Sequence, residues 1–430
     1  MRQTSVAGDQ RPRIVEDLGT HKICMVCCGL YHTVCLTASG LAISFGGNES
    51  GQCGHSGQKH SRVQPKVVDF NHRVGGNVLI KQIAAGELFT VFLTTSGEVY
   101  TSGAGAYMGI AKWRNSSVAQ AERVDTLLGS NVALIAAGAS HAFSVTSTGE
   151  IYAWGNGKAG QLGLGDDVFN LDDCHIQVPR KVNICIPTDG GEIIGASAGQ
   201  SHSLFWTSNG LLLGCGSNKY GQLASILPRI STLDVLSIPG GTTNIHCLMA
   251  ACGQNHTLLL CRDSNGDHSD ERTKVLAFGS NNFGQVDGSS SAVLFRNPVD
   301  ITDYISKARI LYIAAGGDHS FAVGVLRNLD SSDSNEKLSG ASTSIWMKRY
   351  ISITQFCYAF FRCSFVYIKC SARFFFYIIA SVTSCTWTRF LYYLIHYYLY
   401  IIQNMLVNIP LSSLLSSDNF RGECLPHHQP

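Results

Sequence analysis

Residues 136–145 read AAGASHAFSV, and variants of this phrase recur five more times along the chain. The variants share a central glycine that is followed, three positions later, by histidine or once by phenylalanine. The central glycines are Gly29, Gly86, Gly138, Gly199, Gly253 and Gly316. Neighbouring glycines are 52 to 63 residues apart. A repeat of this length predicts a solenoid, a propeller or an array of similar units.

The residues between the phrases follow a common order that is typical of β-structure. A short apolar strand follows each phrase, then a glycine turn, then a second strand that in most units ends near a Gly-Gln turn. Glycine supplies the positive φ that such turns need, and Phe143 and Val145 alternate as on one face of a strand. We therefore predict an all-β fold, a β-propeller of about seven blades in which six repeat phrases are recognised.

The phrase and the intact Gly160-Gln161-Leu162-Gly163 turn resemble the regulator-of-chromosome-condensation repeat family. The resemblance implies a propeller of usually seven blades that binds other proteins. Two units depart from the pattern. In the second, Phe89 stands where histidine is expected and residues 105–109 replace the Gly-Gln turn. In the fourth, Ala224 replaces the last glycine.

The sequence divides into four segments. We predict a disordered N-terminus over 1–10, the repeat propeller over 11–326, a polar linker over 327–344 and a hydrophobic tail over 345–430. The change at the last boundary is abrupt, because the repeat phrases stop and aromatic residues become dense.

The hydrophobic tail has an unusual composition. Residues 351–417 contain no Asp, Glu or Gly. The span 374–407 is apolar enough for membrane association, but Arg373 and Arg389 bound segments that are short for a spanning helix. Three interpretations stay open: a misassembled or read-through terminus, which we favour, a membrane anchor, or a buried helical cap.

Charge and cysteine content limit the classes of function. The net charge is +2 and only 14% of residues are charged, and Lys and Arg are scattered, so we expect no direct nucleic-acid binding. The polar N-terminus lacks the apolar segment of a secretory signal. Sixteen cysteines in such a chain indicate reduced thiols. We expect an intracellular protein, cytoplasmic or nuclear, or a membrane-bound one if the tail is genuine.

The repeated histidines are the most regular polar residues. We predict that they are structural, each imidazole bonding turn backbone in its own blade, because blade spacing separates them too far for one metal. The structural repeat positions predicted here are Gly29, His32, Gly86, Gly138, His141, Gly199, His202, Gly253, His256, Gly316 and His319. The repeats do not identify the binding residues.

Two other patterns have simpler explanations than a cofactor site. Cys24, Cys27, Cys53 and His55 include a C-x-x-C pair that could be scored as a zinc site, but small buried residues on strands explain them better. Residues 155–160 fit the G-x-G-x-x-G dinucleotide pattern without a surrounding βαβ unit, so they are a repeat turn. We expect no cofactor and no metal.

The resemblance implies a protein-binding scaffold in one of two settings. One is the substrate- or partner-binding region of a HECT-type ubiquitin ligase of the HERC kind. The alternative is a guanine-nucleotide exchange factor for a Ran-like small GTPase, for which residues 263–271, within the polar insertion 262–274, are the one candidate contact element. No ligase motif is recognised in this sequence, so we expect no catalytic activity from it. The alternative, that a HECT ligase domain is missing from the sequence, stays open. The ultraviolet-sensing branch of plants needs clustered tryptophans, and the propeller has only Trp113, Trp154 and Trp206.

Overall fold

The computed structural model describes most of the repeat region. The described residues are 15–56, 63–71, 78–168, 174–238, 246–262, 273–302, 308–326 and 343–346. All of them lie in one compact unit, Met1–Phe375. The predicted disordered N-terminus and the span 374–407 lie outside the described residues, so the interpretations of the tail stay predictions. In the part of the chain that is described, no helix has the length and apolar character needed to cross a bilayer.

Glycine turns at regular spacing divide the described residues into six sheets. The first sheet contains β1 (Ile23–Cys28), β2 (His32–Thr37), β3 (Ala42–Gly46) and β4 (Val63–Val67). The second contains β5 (Phe70–Asn71), β6 (Ile80–Ala85), β7 (Phe89–Thr94), β8 (Val99–Ala104) and β9 (Ser117–Arg123). The third contains β10 (Val132–Ala137), β11 (His141–Thr146), β12 (Ile151–Asn156) and β13 (His175–Val182).

The remaining sheets follow the same plan. The fourth contains β14 (Ile193–Ala198), β15 (His202–Thr207), β16 (Leu212–Ser217) and β17 (Arg229–Val235). The fifth contains β18 (His246–Cys252), β19 (His256–Arg262), β20 (Thr273–Ser280) and β21 (Leu294–Asp300). The sixth contains β22 (Ala308–Ala315), β23 (Ser320–Leu326) and β24 (Thr343–Trp346).

Within each sheet the strands are joined as antiparallel neighbours in chain order, apart from the short β5, which pairs in parallel with β9. The described helices are single 3-10 turns: Glu16–Leu18, Gly105–Tyr107, Ala111–Trp113, Asp125–Leu127 and Asp166–Val168. Each repeat phrase forms the turn between the first and second strands of a sheet. The all-β propeller architecture is therefore confirmed, with one sheet for each of the six phrases.

The core lies between consecutive sheets. Two strands, β7 of the second sheet and β11 of the third, are buried along their whole length. Phe143 of the third sheet meets Phe205 of the fourth edge-to-face, with ring centroids 5.0 Å apart. Since both faces of these strands are covered by neighbouring sheets, their sequences are apolar or small at nearly every position.

Ala224 keeps the turn geometry of the glycine that it replaces. Its φ is +50°, close to the +66° of Gly163 in the third unit. A residue with a Cβ pays roughly 1–2 kcal/mol for this left-handed conformation. The departure noted in the fourth unit is therefore one of residue type and leaves the backbone path intact.

Candidate functional site

Four of the repeated histidines contact the next sheet along the chain. His32, His141, His202 and His256 are buried at the start of their strands. Each Nε2 lies within hydrogen-bond distance of a hydroxyl oxygen in the following sheet. The pairs are His32–Thr90 at 2.8 Å, His141–Ser203 at 2.8 Å, His202–Thr257 at 3.1 Å and His256–Ser320 at 3.1 Å. The predicted partner, turn backbone in the same blade, is wrong for these four.

Each of these hydroxyls also donates to a backbone carbonyl of the preceding sheet. The acceptors belong to the glutamines of the Gly-Gln turns: Thr90 to Gln52 at 2.7 Å, Ser203 to Gln161 at 2.9 Å, Thr257 to Gln222 at 2.7 Å and Ser320 to Gln285 at 2.6 Å. Because a carbonyl only accepts, the hydroxyl hydrogen is committed to it, and the hydroxyl lone pair accepts from the imidazole. We therefore assign the hydrogen of each neutral imidazole to Nε2.

Burial keeps these imidazoles uncharged. Desolvation lowers the pKa of His32 to about 4 and the pKa of His141 to about 3. It also lowers the pKa values of His202 and His256 to about 3, with a smaller contribution from neighbouring histidines. A group that stays neutral throughout the physiological range is suited to a fixed hydrogen bond and not to proton transfer near neutral pH.

The glutamine side chains fix the turns from the other side. Each Oε1 accepts the backbone N–H of the residue two positions earlier: Ser50 at 3.0 Å, Ala159 at 2.8 Å, Tyr220 at 2.9 Å and Phe283 at 2.9 Å. The turns of the first, third and fourth units also lie against the outer strand of the next sheet. A Cβ at Gly221, for example, would be 2.7 Å from the Cα of Arg296. Every Gly-Gln turn is thus held both within its own loop and by its neighbour.

The phrase glycines make room for this arrangement. A Cβ at Gly138 would lie 2.4 Å from the backbone oxygen of Gly199 and 2.4 Å from Cε1 of His141. The adjacent backbone links the sheets directly, because the N–H of Ala139 donates to the same Gly199 oxygen at 3.0 Å. His319 of the sixth sheet lies against Phe321, with ring centroids 5.0 Å apart.

The network is replaced as a unit between the second and third sheets. Phe89 takes the histidine position, Ala142 takes the hydroxyl position, and the 3-10 turn Gly105–Tyr107 stands in the loop that elsewhere carries Gly-Gln. Phe89 and Ala142 are fully buried in one apolar cluster with Trp154, whose Nε1 donates to the Tyr107 carbonyl at 3.0 Å. Sequence analysis noted Phe89 and missed Ala142, although Ser or Thr follows the glycine by four positions in the other phrases.

The structure does not bring the zinc candidates together. The Sγ of Cys24 contacts the Leu36 carbonyl at 3.4 Å, and the Sγ of Cys53 contacts the Gly47 carbonyl at 3.3 Å. Nε2 of His55 lies 2.9 Å from the Ser44 hydroxyl. Throughout the described ranges, no group of three or more His, Cys, Asp or Glu side chains is placed to hold a metal ion.

The Gly-Gln turns and the phrase turns lie at the same end of the sheets, here called the glutamine-turn face. Its loops are residues 46–56, 105–116, 156–168, 217–228 and 280–293, together with the phrase turns. Several large apolar side chains on this face are exposed: Tyr31, Tyr220, Ile226, Leu227, Phe283 and Val293. Sequence analysis identified no binding residue, and these side chains are the candidates that the structure adds.

The Arabidopsis thaliana ultraviolet-B receptor UVR8 is 29% identical over 327 residues, which cover 74% of this chain and 66% of the receptor. The human E3 ubiquitin-protein ligase HERC2 is 32% identical over 200 residues, covering 46% of this chain and 4% of the ligase. The chain thus spans less than two thirds of the length of each.

Solved structures show the same fold. Yeast RCC1 (Prp20), solved with Kap60, superposes with a TM-score of 0.56 at 17% identity, covering 75% of this chain and 84% of that one. The family model of the RCC1-like domain matches residues 3–329, about three quarters of the sequence. The match confirms the resemblance drawn from the repeat phrases, and the chain belongs to the RCC1-like domain family.

Proposed function

We propose that the chain is a protein-binding scaffold whose partner binds the glutamine-turn face, in the setting of a ubiquitin-ligase system. The observation that carries the proposal is the contrast within each loop. The glutamine and its glycine are fixed by hydrogen bonds and close packing, while the residues beside them are exposed and differ from unit to unit. Rigid loops with variable exposed residues are the usual way in which a repeat scaffold recognises a partner.

The ligase setting is supported by the match to HERC2, which falls within the repeat region. That match covers 4% of the ligase, so it supports a role in partner or substrate recognition and gives no catalytic role to this chain. The exchange-factor alternative depends on residues 263–271. Residues 263–272 lie outside the described residues, so the alternative stays a prediction.

Site-specific photo-crosslinking tests the use of this face. A photoreactive amino acid is placed at the exposed positions Glu49, Lys158 or Asn282 on the glutamine-turn face, and at Thr95 or Ser147 at the opposite end of the sheets as matched controls. After irradiation in cells, crosslinked proteins are identified by mass spectrometry. We expect one partner to be recovered from the glutamine-turn positions and not from the controls. Crosslinks confined to the control positions would contradict the proposal.

A nucleotide-exchange assay separates the two settings. Release of labelled GDP from Ran is measured with and without the full chain. The scaffold proposal predicts no acceleration. An acceleration of about a hundredfold or more, equivalent to roughly 3 kcal/mol of barrier, would favour the exchange-factor alternative.

A further inference from the structure

The exposed apolar residues of the glutamine-turn face are concentrated on the fourth and fifth sheets. Five of these side chains are here called the apolar patch. The loop after the third strand of the fourth sheet carries Tyr220, Ile226 and Leu227, and the corresponding loop of the fifth sheet carries Phe283 and Val293. Tyr220 and Phe283 occupy the same repeat position, immediately before Gly-Gln. The exposed fraction is 42% for Tyr220 and 55% for Phe283, so both aromatic rings are available for contact.

The two loops of the patch adjoin. The Gly221 turn lies on the backbone of Arg296 in the fifth sheet, and Nη2 of Arg296 donates to the Lys219 carbonyl at 3.4 Å. Val293 lies three residues before Arg296, and its carbonyl accepts the N–H of Asn281 at 2.8 Å. Tyr220 therefore stands beside the loop that carries Val293 and Phe283.

Asparagine side chains hold both loops in shape. Nδ2 of Asn218 donates to the carbonyls of Ser225 at 2.7 Å and Leu227 at 2.6 Å. Nδ2 of Asn281 donates to the carbonyls of Asp287 at 3.0 Å and Ala292 at 2.7 Å. Because the backbone is already ordered, binding of a ligand to the patch loses little conformational entropy in these loops.

The charged side chains at the edge of the patch that carry no ion pair are basic. The exposed charged residues at its edge are Lys219, Arg229 and Arg296, of which Arg229 is paired with Asp166 at 3.5 Å. The acid within the two loops, Asp287, is 8% exposed and accepts the N–H of Ser289 at 2.9 Å. In the described residues Lys219 and Arg296 have no acidic partner, so the edge of the patch is basic.

We propose that the apolar patch binds an acidic segment of a partner protein that places large apolar side chains against Tyr220 and Phe283. The inference rests on the proposed function and names the chemistry of its partner. Exposed aromatic residues in ordered loops are typical anchors of binding energy, and the basic edge selects for negative charge. The chain's own tail does not meet this requirement, since residues 351–417 contain Arg and Lys but no Asp or Glu.

Fluorescence anisotropy with the full chain and three labelled synthetic peptides tests the proposal. The first peptide alternates Asp with Leu and Phe, the second has Lys in place of Asp, and the third has Ser in place of Leu and Phe. We expect the first peptide to bind at least about tenfold more tightly than either of the others, with an affinity that falls as salt is added. Equal binding of the three peptides would overturn the proposal.

Two variants and a control locate the binding. Tyr220→Ser with Phe283→Ser should weaken the acidic apolar peptide by about tenfold or more. Lys219→Glu with Arg296→Glu should weaken that peptide and strengthen the Lys peptide. Leu128→Ser, which changes a side chain of similar exposure (53%) in the loop between β9 and β10 at the other end of the sheets, should have no effect. Each variant is first shown to unfold at the urea midpoint of the unchanged chain.

The outcomes separate this inference from the proposed function. Crosslinks at positions 49 and 158 together with full peptide binding by the Tyr220 and Phe283 variant would leave the face as the binding surface and overturn the patch. Competition by a peptide of residues 390–407 that exceeds the acidic apolar peptide would also overturn it, because the tail would then be the better ligand. Absence of any crosslink from the glutamine-turn face would contradict the proposed function itself.

Discussion

Replacing Ser203 with Ala and His141 with Phe, singly and together, tests whether the imidazole and the hydroxyl act as a unit. The single change Ser203→Ala leaves the buried Nε2–H of His141 without its acceptor at 2.8 Å, which should cost about 1–3 kcal/mol. The single change His141→Phe leaves the Ser203 hydroxyl bonded to the Gln161 carbonyl. It should cost about 1–3 kcal/mol, mainly because a larger ring must fit the site.

The double variant should cost less than the sum of the two. It reproduces the pair that the chain already carries at Phe89 and Ala142, both fully buried, and it removes the unpaired donor together with its acceptor. The second sheet shows that a phenylalanine ring fits beside a phrase glycine, because Phe89 packs directly on Gly86. We expect a favourable coupling of about 1 kcal/mol, within the range of roughly 0.5–3 kcal/mol found for contacting residues.

Equilibrium urea unfolding measures the coupling. Far-ultraviolet circular dichroism and tryptophan fluorescence, to which the buried Trp154 contributes, follow the transition, and coincidence of the two signals checks that it is cooperative. Phe89→His serves as the reverse control and should destabilise, because Ala142 cannot accept from the new imidazole. Free energies that add to within about 0.3 kcal/mol would refute the idea that the histidine and hydroxyl are a coupled unit.

Three further predictions follow from the same geometry. The free energy of unfolding should fall as the pH drops from about 6.5 toward 3–4. The reason is that histidines in the unfolded chain titrate near 6.5, while the folded pKa values are about 4 for His32 and about 3 for His141, so that unfolding takes up protons. Urea unfolding between pH 7 and pH 5 should show a loss of up to about 1.4 kcal/mol per pH unit for each histidine. Gly138→Ala should destabilise by about 3 kcal/mol through its clash with the Gly199 carbonyl. Gly149→Ala should destabilise less, because its Cβ would meet open space and only the φ of +83° is unfavourable, at roughly 1–2 kcal/mol; urea unfolding compares the two. In native chain treated with iodoacetamide, exposed Cys185 should be alkylated before buried Cys53 and Cys252, whose burial raises their pKa values to about 12; mass spectrometry that finds equal labelling would contradict the packing of those strands.

The repeated glycines of the turns and third strands predicted the sheets, because glycine at a positive φ leaves a local signal in the sequence. A position such as Gly155, with φ +95°, restricts residue type whatever the neighbouring sheet contains. The histidine partners left no comparable local signal. His141 and Ser203 are 62 residues apart, and only the packing of one sheet on the next decides that a side chain points across the gap and not into its own turn.

The apolar patch was beyond sequence reasoning for a different reason. Tyr220 and Phe283 occupy the position that Ser50 and Ala159 occupy in other units, and an aromatic residue beside a turn can be either buried or exposed. In the structure both rings are exposed on loops whose backbone Asn218 and Asn281 hold in shape. The sixth sheet shows the same limit, since its third strand, Thr343–Trp346, lacks the glycine that every other third strand carries near its end.

The pair of Phe89 and Ala142, packed in one cluster between the second and third units, limits how the repeat units can be duplicated or rearranged. Elsewhere one unit contributes the histidine and the Gly-Gln turn and the next contributes the hydroxyl, so units of this kind are interchangeable at their junctions. The second and third units are not. A copy of the second unit placed before any hydroxyl-bearing unit would bury that hydroxyl beside a phenylalanine ring, and a third unit placed after any histidine would leave the imidazole unpaired. These two units must therefore be inherited, inserted or lost as a tandem pair.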